Sequence, residues 1–175
     1  MIKVNIKNQF NNKAFQCSEG GKEVTLTPLG SGFPLPSANT FEKSNYDIHY
    51  ADDLDNFECK GNIVDIHCSD SVSVVRLIAL GLYGDYHESV VIGEDNKTTE
   101  YKVTFPFMHR TSLSVKEAKL FYTSEYVVSQ SSLSGVVKQG ISLFEIEINL
   151  YQQTKISFIK FPRHLGVHIF AITLF

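Results

Sequence analysis

The stretch Phe144-Glu145-Ile146-Glu147-Ile148-Asn149-Leu150 decides the fold. Phe144, Ile146, Ile148 and Leu150 fall on one side, and Glu145, Glu147 and Asn149 on the other. A period of two is the signature of a strand with one buried and one wet face. Downstream, Gln152-Gln153-Thr154 reads as a turn and residues 156–161 as the returning strand. After Pro162-Arg163-His164, residues 166–175 are apolar on both faces, which predicts a central strand covered on both sides.

Upstream, residues 88–92 and 97–105 flank Gly93-Glu94-Asp95-Asn96 and predict a β-hairpin. Pro106 ends its second strand, because proline cannot donate to a ladder. Residues 72–83 fit a buried strand or a short helix, and Gly81 and Gly84 weigh against the helix. Residues 41–50 and 61–68 read as strands, as do 126–129 and 133–138 around a Ser-rich turn. At the start, Ile2, Val4 and Ile6 alternate with Lys3, Asn5 and Lys7. A second strand at 13–17, the turn Ser18-Glu19-Gly20-Gly21 and the alternating Val24 and Leu26 complete an expected antiparallel meander. Ser114-Val115-Lys116-Glu117 matches a capping box and predicts one short helix running to residue 122.

The composition agrees. Val, Ile and Thr number 15, 14 and 10 and Phe plus Tyr 21, against 6 Ala, a skew toward residues that suit pleated surfaces. At 175 residues with 43% hydrophobic content the chain suffices for one domain with its own core. About ten short strands with turn signals every ~8–12 residues predict an all-β antiparallel β-sandwich of jelly-roll or Greek-key type, with a closed β-barrel as the alternative.

The net charge of −3 and the lack of a Lys/Arg run exclude a nucleic-acid footprint and a polybasic membrane anchor. No apolar stretch approaches the ~18 residues of a membrane helix, and the N-terminus lacks a signal-peptide core. The expectation is synthesis in the cytoplasm, with export by a non-classical route left open. Three cysteines, Cys17, Cys59 and Cys68, match no zinc spacing. Cys59 and Cys68 allow one hairpin disulfide, and the plainer reading is that all three are reduced core residues.

Candidate sites are few. Asp-Ile-His occurs twice, at Asp47-Ile48-His49 and Asp65-Ile66-His67. In a strand each copy puts a carboxylate beside an imidazole, and neighbouring strands would offer His49, His67, Asp47 and Asp65 to a divalent metal. The plainer reading places the isoleucines in the core and the Asp-His pairs on a wet face. Asp53 and Asp55 lie in the acidic segment 52–58, which concentrates oxygen ligands but lacks the calcium-loop pattern, and reads otherwise as a solvated turn. Residues 28–40 hold three prolines and two glycines and predict a long irregular loop in which Phe33 and Leu35 either pin the loop or meet a partner. Tyr46, Tyr50, Tyr83 and Tyr86 offer rigid amphipathic area for a ligand or interface.

No nucleophile elbow, P-loop, dinucleotide fingerprint or zincin helix is present, so no catalytic residue is assigned and no cofactor is implied beyond that divalent metal. The leading expectation is a non-enzymatic binding module that meets a protein, glycan or lipid surface through its loops. A self-assembling subunit of capsid or inclusion type, forming a homo-oligomer, is the second, and a metal-dependent enzyme using the Asp-Ile-His strands the third.

Overall fold

The computed structural model describes residues 1–16, 23–94, 97–110, 118–130 and 136–175. Thirteen strands run through them: β1 (Ile2–Val4), β2 (Ser31–Gly32), β3 (Phe57–Lys60), β4 (Ile63–Asp65), β5 (Val72–Gly81), β6 (Tyr86–Glu94), β7 (Lys97–Phe105), β8 (Ala118–Ser124), β9 (Val127–Ser129), β10 (Val136–Val137), β11 (Ile141–Thr154), β12 (Ile156–Lys160) and β13 (Arg163–Leu174). The one helical element among them is a 3₁₀ turn at Lys7–Gln9. The chain is an all-β sandwich.

A six-stranded sheet has the order β1-β13-β5-β11-β8, with β3 also on β13. A four-stranded sheet has the order β4-β12-β6-β7, and a small third sheet the order β10-β9-β2. Every named strand pair is antiparallel. The alternating stretch 144–150 sits between β5 and β8, with Phe144, Ile146 and Ile148 buried in the core. Glu145 and Glu147 on its other side hold Arg76 of β5. β13 is central as expected, with residues 166–174 buried against β1, β3 and β5.

Residues 72–81 resolve to a strand, since both of their neighbours, β11 and β13, supply a ladder. The hairpin of β6 and β7 runs in unbroken register from Tyr86↔Phe105 to Glu94↔Lys97. Gly93 and Glu94 therefore belong to the strand, and the rest of the expected turn, residues 95–96, lies outside the described residues. β11 likewise continues through Gln152-Gln153-Thr154, where Thr154 pairs with Val72.

Three local expectations give way to long-range partners. The expected meander at the N-terminus does not form. β1 adds to β13, 13–16 is held by one bridge, Phe15↔Phe33, and by Thr25 N–H donating to Lys13 O at 2.8 Å, and 23–26 carries no strand. Residues 17–22 lie outside the described residues. Residues 41–50 form turns and bends because their aromatics serve as anchors: Phe41 stacks on Phe121 at 5.7 Å and Tyr46 meets it edge-on at 5.3 Å. The expected helix is overridden at 118–122, where β8 pairs with β11 from Ile146↔Ala118 to Ile141↔Ser124. A helix there would forfeit that ladder (residues 111–117 are outside the described set).

Gly81 closes one corner of the sandwich. Its N–H donates to Pro106 O and its carbonyl accepts Met108 N–H, both at 2.8 Å. A Cβ at this position would stand 2.5 Å from Gly84 O and 2.9 Å from Phe105 O. Gly81→Ala is expected to cost about 1–3 kcal/mol through overpacking against backbone that cannot rotate away. Urea denaturation measures it, and a change below about 0.5 kcal/mol would show that the corner yields.

Candidate functional site

The residues nominated from sequence scatter over the fold. Phe33 is fully buried and pins its loop, meeting Phe15 at 5.1 Å. Tyr50 packs against Phe41 at 5.5 Å and its hydroxyl donates to Ala38 O. Tyr46 is buried beside Glu145, and burial foremost pushes its phenol far above the ordinary range. These three belong to an aromatic core that also takes in Tyr122 and Phe170. Leu35 remains 42% exposed.

The acidic segment is not the solvated turn that was expected. Asp55 and Asn56 are fully buried, and so is Lys13, whose Nζ stands 2.9 Å from Asp55 Oδ2. The Asp55 carboxylate accepts Ala14 N–H at 2.9 Å, Phe15 N–H at 3.0 Å and Asn56 Nδ2–H at 2.8 Å. Lys13 Nζ also donates to the carbonyls of Tyr50 and Asp52. The row continues through Asn56 Oδ1, 2.7 Å from Nδ1 of the buried His168. Burial pushes the Asp55 carboxyl up, opposed by Lys13, Asn56 and the Phe15 N–H. Burial pulls His168 down to about 4, helped by Lys60 and opposed by the Leu165 backbone. This row ties the N-terminal segment to β13. Sequence offered no signal for it beyond a polar pair in an acidic run.

His49 lies between two carboxylates, 3.1 Å from Asp47 Oδ2 and 3.1 Å from Asp52 Oδ2. It stands on a loop, whereas Asp65 ends β4 and His67 follows it, and Asp53, Asp65 and His67 are exposed. Among the described residues, no group of three or more His, Cys, Asp or Glu side chains is placed to hold a metal ion. Cys59 and Cys68 are free, and burial raises the Cys59 thiol well above its usual range.

Two of the nominated regions do meet. The start of the Pro-rich loop, Pro28-Leu29, faces Leu82 and Tyr83 across a groove of about 530 Å³. Phe107 and Met108 line it beside Val127 of β9, and Thr27, Ser31, His109 and Gln139 supply polar groups. Leu29 is 72% and Tyr83 64% exposed, so the rim offers apolar surface to solvent. The volume lies within the ~300–1,000 Å³ of ordinary binding clefts.

The walls are fixed from below. The Gly81 corner holds residues 106–108, and Leu82 N–H donates to Gly166 O at 2.8 Å. Tyr86 is a brace rather than a wall: its hydroxyl accepts Tyr83 N–H at 3.2 Å and its ring meets His164 at 4.1 Å. Asp85 accepts Phe107 N–H at 2.9 Å and pairs with Arg110. Burial opposes ionisation of Asp85, but that N–H and the guanidinium prevail and hold its carboxyl below the ordinary range. His109 bonds Gly140 O through Nδ1 and stands edge-on to Phe107 at 5.1 Å. Sequence reasoning missed Phe107, Met108 and His109, because Pro106 was read only as the end of a strand.

A second surface aromatic also escaped notice. Tyr151 is 80% exposed, stacks on Tyr101 at 5.1 Å, and shares a groove of about 400 Å³ with Glu147 and Asn149.

The fold and this groove define an all-β sandwich with an apolar surface cleft at one corner. No protein-family model matches the chain, and no curated protein matches it. No helix among the described residues is long and apolar enough to cross a membrane.

Proposed function

We propose that the chain is a non-catalytic binding module for a protein partner, and that it seats an apolar side chain of that partner between Pro28-Leu29 and Tyr83. The observation that carries this reading is the exposed apolar rim, Leu29 and Tyr83, over an apolar floor of Phe107 and Met108. Protein interfaces favour aromatic and apolar anchors in such pockets, with a few polar groups at the edge to orient the partner. Here His109 and Gln139 occupy the edge. The rigid Gly81 corner and the Asp85 ties supply pre-organisation, which lowers the entropic cost of binding. The edge of the four-stranded sheet carries exposed Lys97, Glu100 and Lys102, charges that discourage edge-to-edge growth and weigh against the assembly reading.

The test is selection from a random peptide library on the immobilised full chain, with affinities measured by anisotropy. Peptides sharing an apolar or aromatic anchor are expected, and Leu29→Asp and Tyr83→Asp are each expected to weaken them on the order of tenfold or more. Melting temperatures of both variants should hold, since neither side chain is buried. Selected peptides that bind both variants as well as the parent would move the site elsewhere. A parent dimer that Leu29→Asp dissociates would replace the foreign partner with a second copy.

A further inference from the structure

We propose that the corner carrying Lys60, Lys160 and Arg163 is a binding site for a doubly charged oxyanion, a phosphate group of a soluble ligand or of a lipid headgroup. The chain crosses between the two large sheets twice here, from β3 to β4 through Gly61-Asn62, and from β12 to β13 through Phe161-Pro162. The crossings are bonded side by side. Gly61 N–H donates to Pro162 O at 3.1 Å and Phe161 N–H to Asn62 O at 2.9 Å. Gly61 adopts φ 83°, which lets the first crossing turn tightly enough to lie on the second. The three cations come from both crossings and surround one shallow pocket of about 390 Å³, with Ser89 and Val91 of β6 as its far wall.

The charge arrangement is costly without a ligand. Arg163 and Lys60 are direct cross-strand partners, the position where like charges destabilise a sheet. Lys160 lies three residues before Arg163 on the same pocket. Glu58 pairs with Lys60 at 2.7 Å, which leaves two positive charges in excess. Among the described residues Lys160 and Arg163 form no ion pair. In a chain of net charge −3, such a local rule-breaking cluster marks a functional surface rather than background. Arginine and lysine together suit a phosphate, the guanidinium as a fork and the ammonium as a point charge. Two exposed apolar side chains adjoin the cations: Ile63, the cross-strand partner of Lys160, is 50% exposed, and Leu165, two residues after Arg163 on β13, is 57% exposed. They give a lipid-borne phosphate an apolar neighbour that a free one would not use.

The full chain is titrated calorimetrically with inorganic pyrophosphate at low and high salt. It is also sedimented with phosphatidylcholine vesicles that either lack or carry a phosphatidylinositol phosphate. Saturable binding in at least one arm is expected, weakened by salt. Lys160→Glu and Arg163→Glu are each expected to weaken it on the order of tenfold, and Lys43→Glu, on an exposed turn elsewhere, to leave it unchanged. Pyrophosphate binding without vesicle binding assigns a soluble ligand. Vesicle binding that depends on the phosphorylated lipid, and falls with Leu165→Ser, assigns the headgroup. A second readout is independent of any ligand: Arg163→Glu turns the like-charge pair into an opposite one and is expected to raise Tm on the order of 2 °C. No binding in either arm, equal loss with Lys43→Glu, or a fall in Tm for Arg163→Glu would overturn the proposal.

Discussion

Replacing Lys13 with methionine is expected to lower the unfolding free energy by about 3–5 kcal/mol, the cost of leaving one buried charge without its partner. Lys13 and Asp55 are both fully buried and 2.9 Å apart. Without Nζ the carboxylate keeps only its N–H donors from Ala14, Phe15 and Asn56, and the carbonyls of Tyr50 and Asp52 lose theirs. Lys13→Met/Asp55→Asn removes both charges while the new amide oxygen still accepts one backbone N–H. The double variant is therefore expected to be more stable than Lys13→Met by about 1–2 kcal/mol, the sign of a coupled pair. Urea denaturation of both variants and the parent checks this. A loss under about 1 kcal/mol for Lys13→Met would mean that water reaches the pair. The effect should extend to the groove, because residues 14–16 bond Phe33 and so hold the Pro28-Leu29 wall. Peptide affinity in Lys13→Met is expected to fall with stability.

How much of this was legible depended on where each residue's partner lies. The strands at 144–150, 88–92 and 97–105 were read correctly, the first because a half-buried strand writes its two faces into the sequence, the other two because a polar, Gly-bearing turn separates them. Residues 72–81 left strand and helix open, with the glycines favouring the strand that forms, because an apolar run without clear alternation has no periodicity to decide it. The helix expected over 118–122 and the 41–50 strand failed for one shared reason. Phe41, Tyr46, Phe121 and Tyr122 pack against one another across the chain, and that packing outweighs local propensity. The candidate groove was half visible. Its rim, Leu29 and Tyr83, lay in segments already suspected, whereas its floor is created by the Gly81 corner and has no motif. The cation corner was invisible, because Lys60 and Arg163 are about a hundred residues apart and a search for Lys/Arg runs cannot see a cross-strand pair.

The far end of the buried polar row makes stability depend on pH. His168 is held at about 4 in the folded chain against 6.5 for an ordinary imidazole, mainly because its site is dry. Well above pH 6.5 it is uncharged in both states and contributes no slope. As pH falls below 6.5 the unfolded chain takes up the proton and the folded chain does not, so the unfolded state gains. Stability is therefore expected to drop by at most roughly 1.4 kcal/mol per pH unit inside this window, about 2 kcal/mol between pH 6.5 and 4.5. The window closes at 4.5 because Glu94, held below that value, and then Asp52 and Asp85 add losses of the same sign at lower pH. The raised Asp55 acts in the opposite direction, its folded carboxyl taking up a proton before the unfolded one does. A comparison with His168→Asn separates the terms. The asparagine amide can donate to Asn56 Oδ1 in place of Nδ1, and it does not titrate. The variant is expected to be less stable near neutrality, having lost ring packing, yet to approach the parent as pH falls toward 4.5. Parallel stability curves for the two proteins would show that His168 takes up its proton in the fold as easily as in the open chain. In that case the row from Lys13 through Asp55 and Asn56 would end in a hydrated site rather than a dry one.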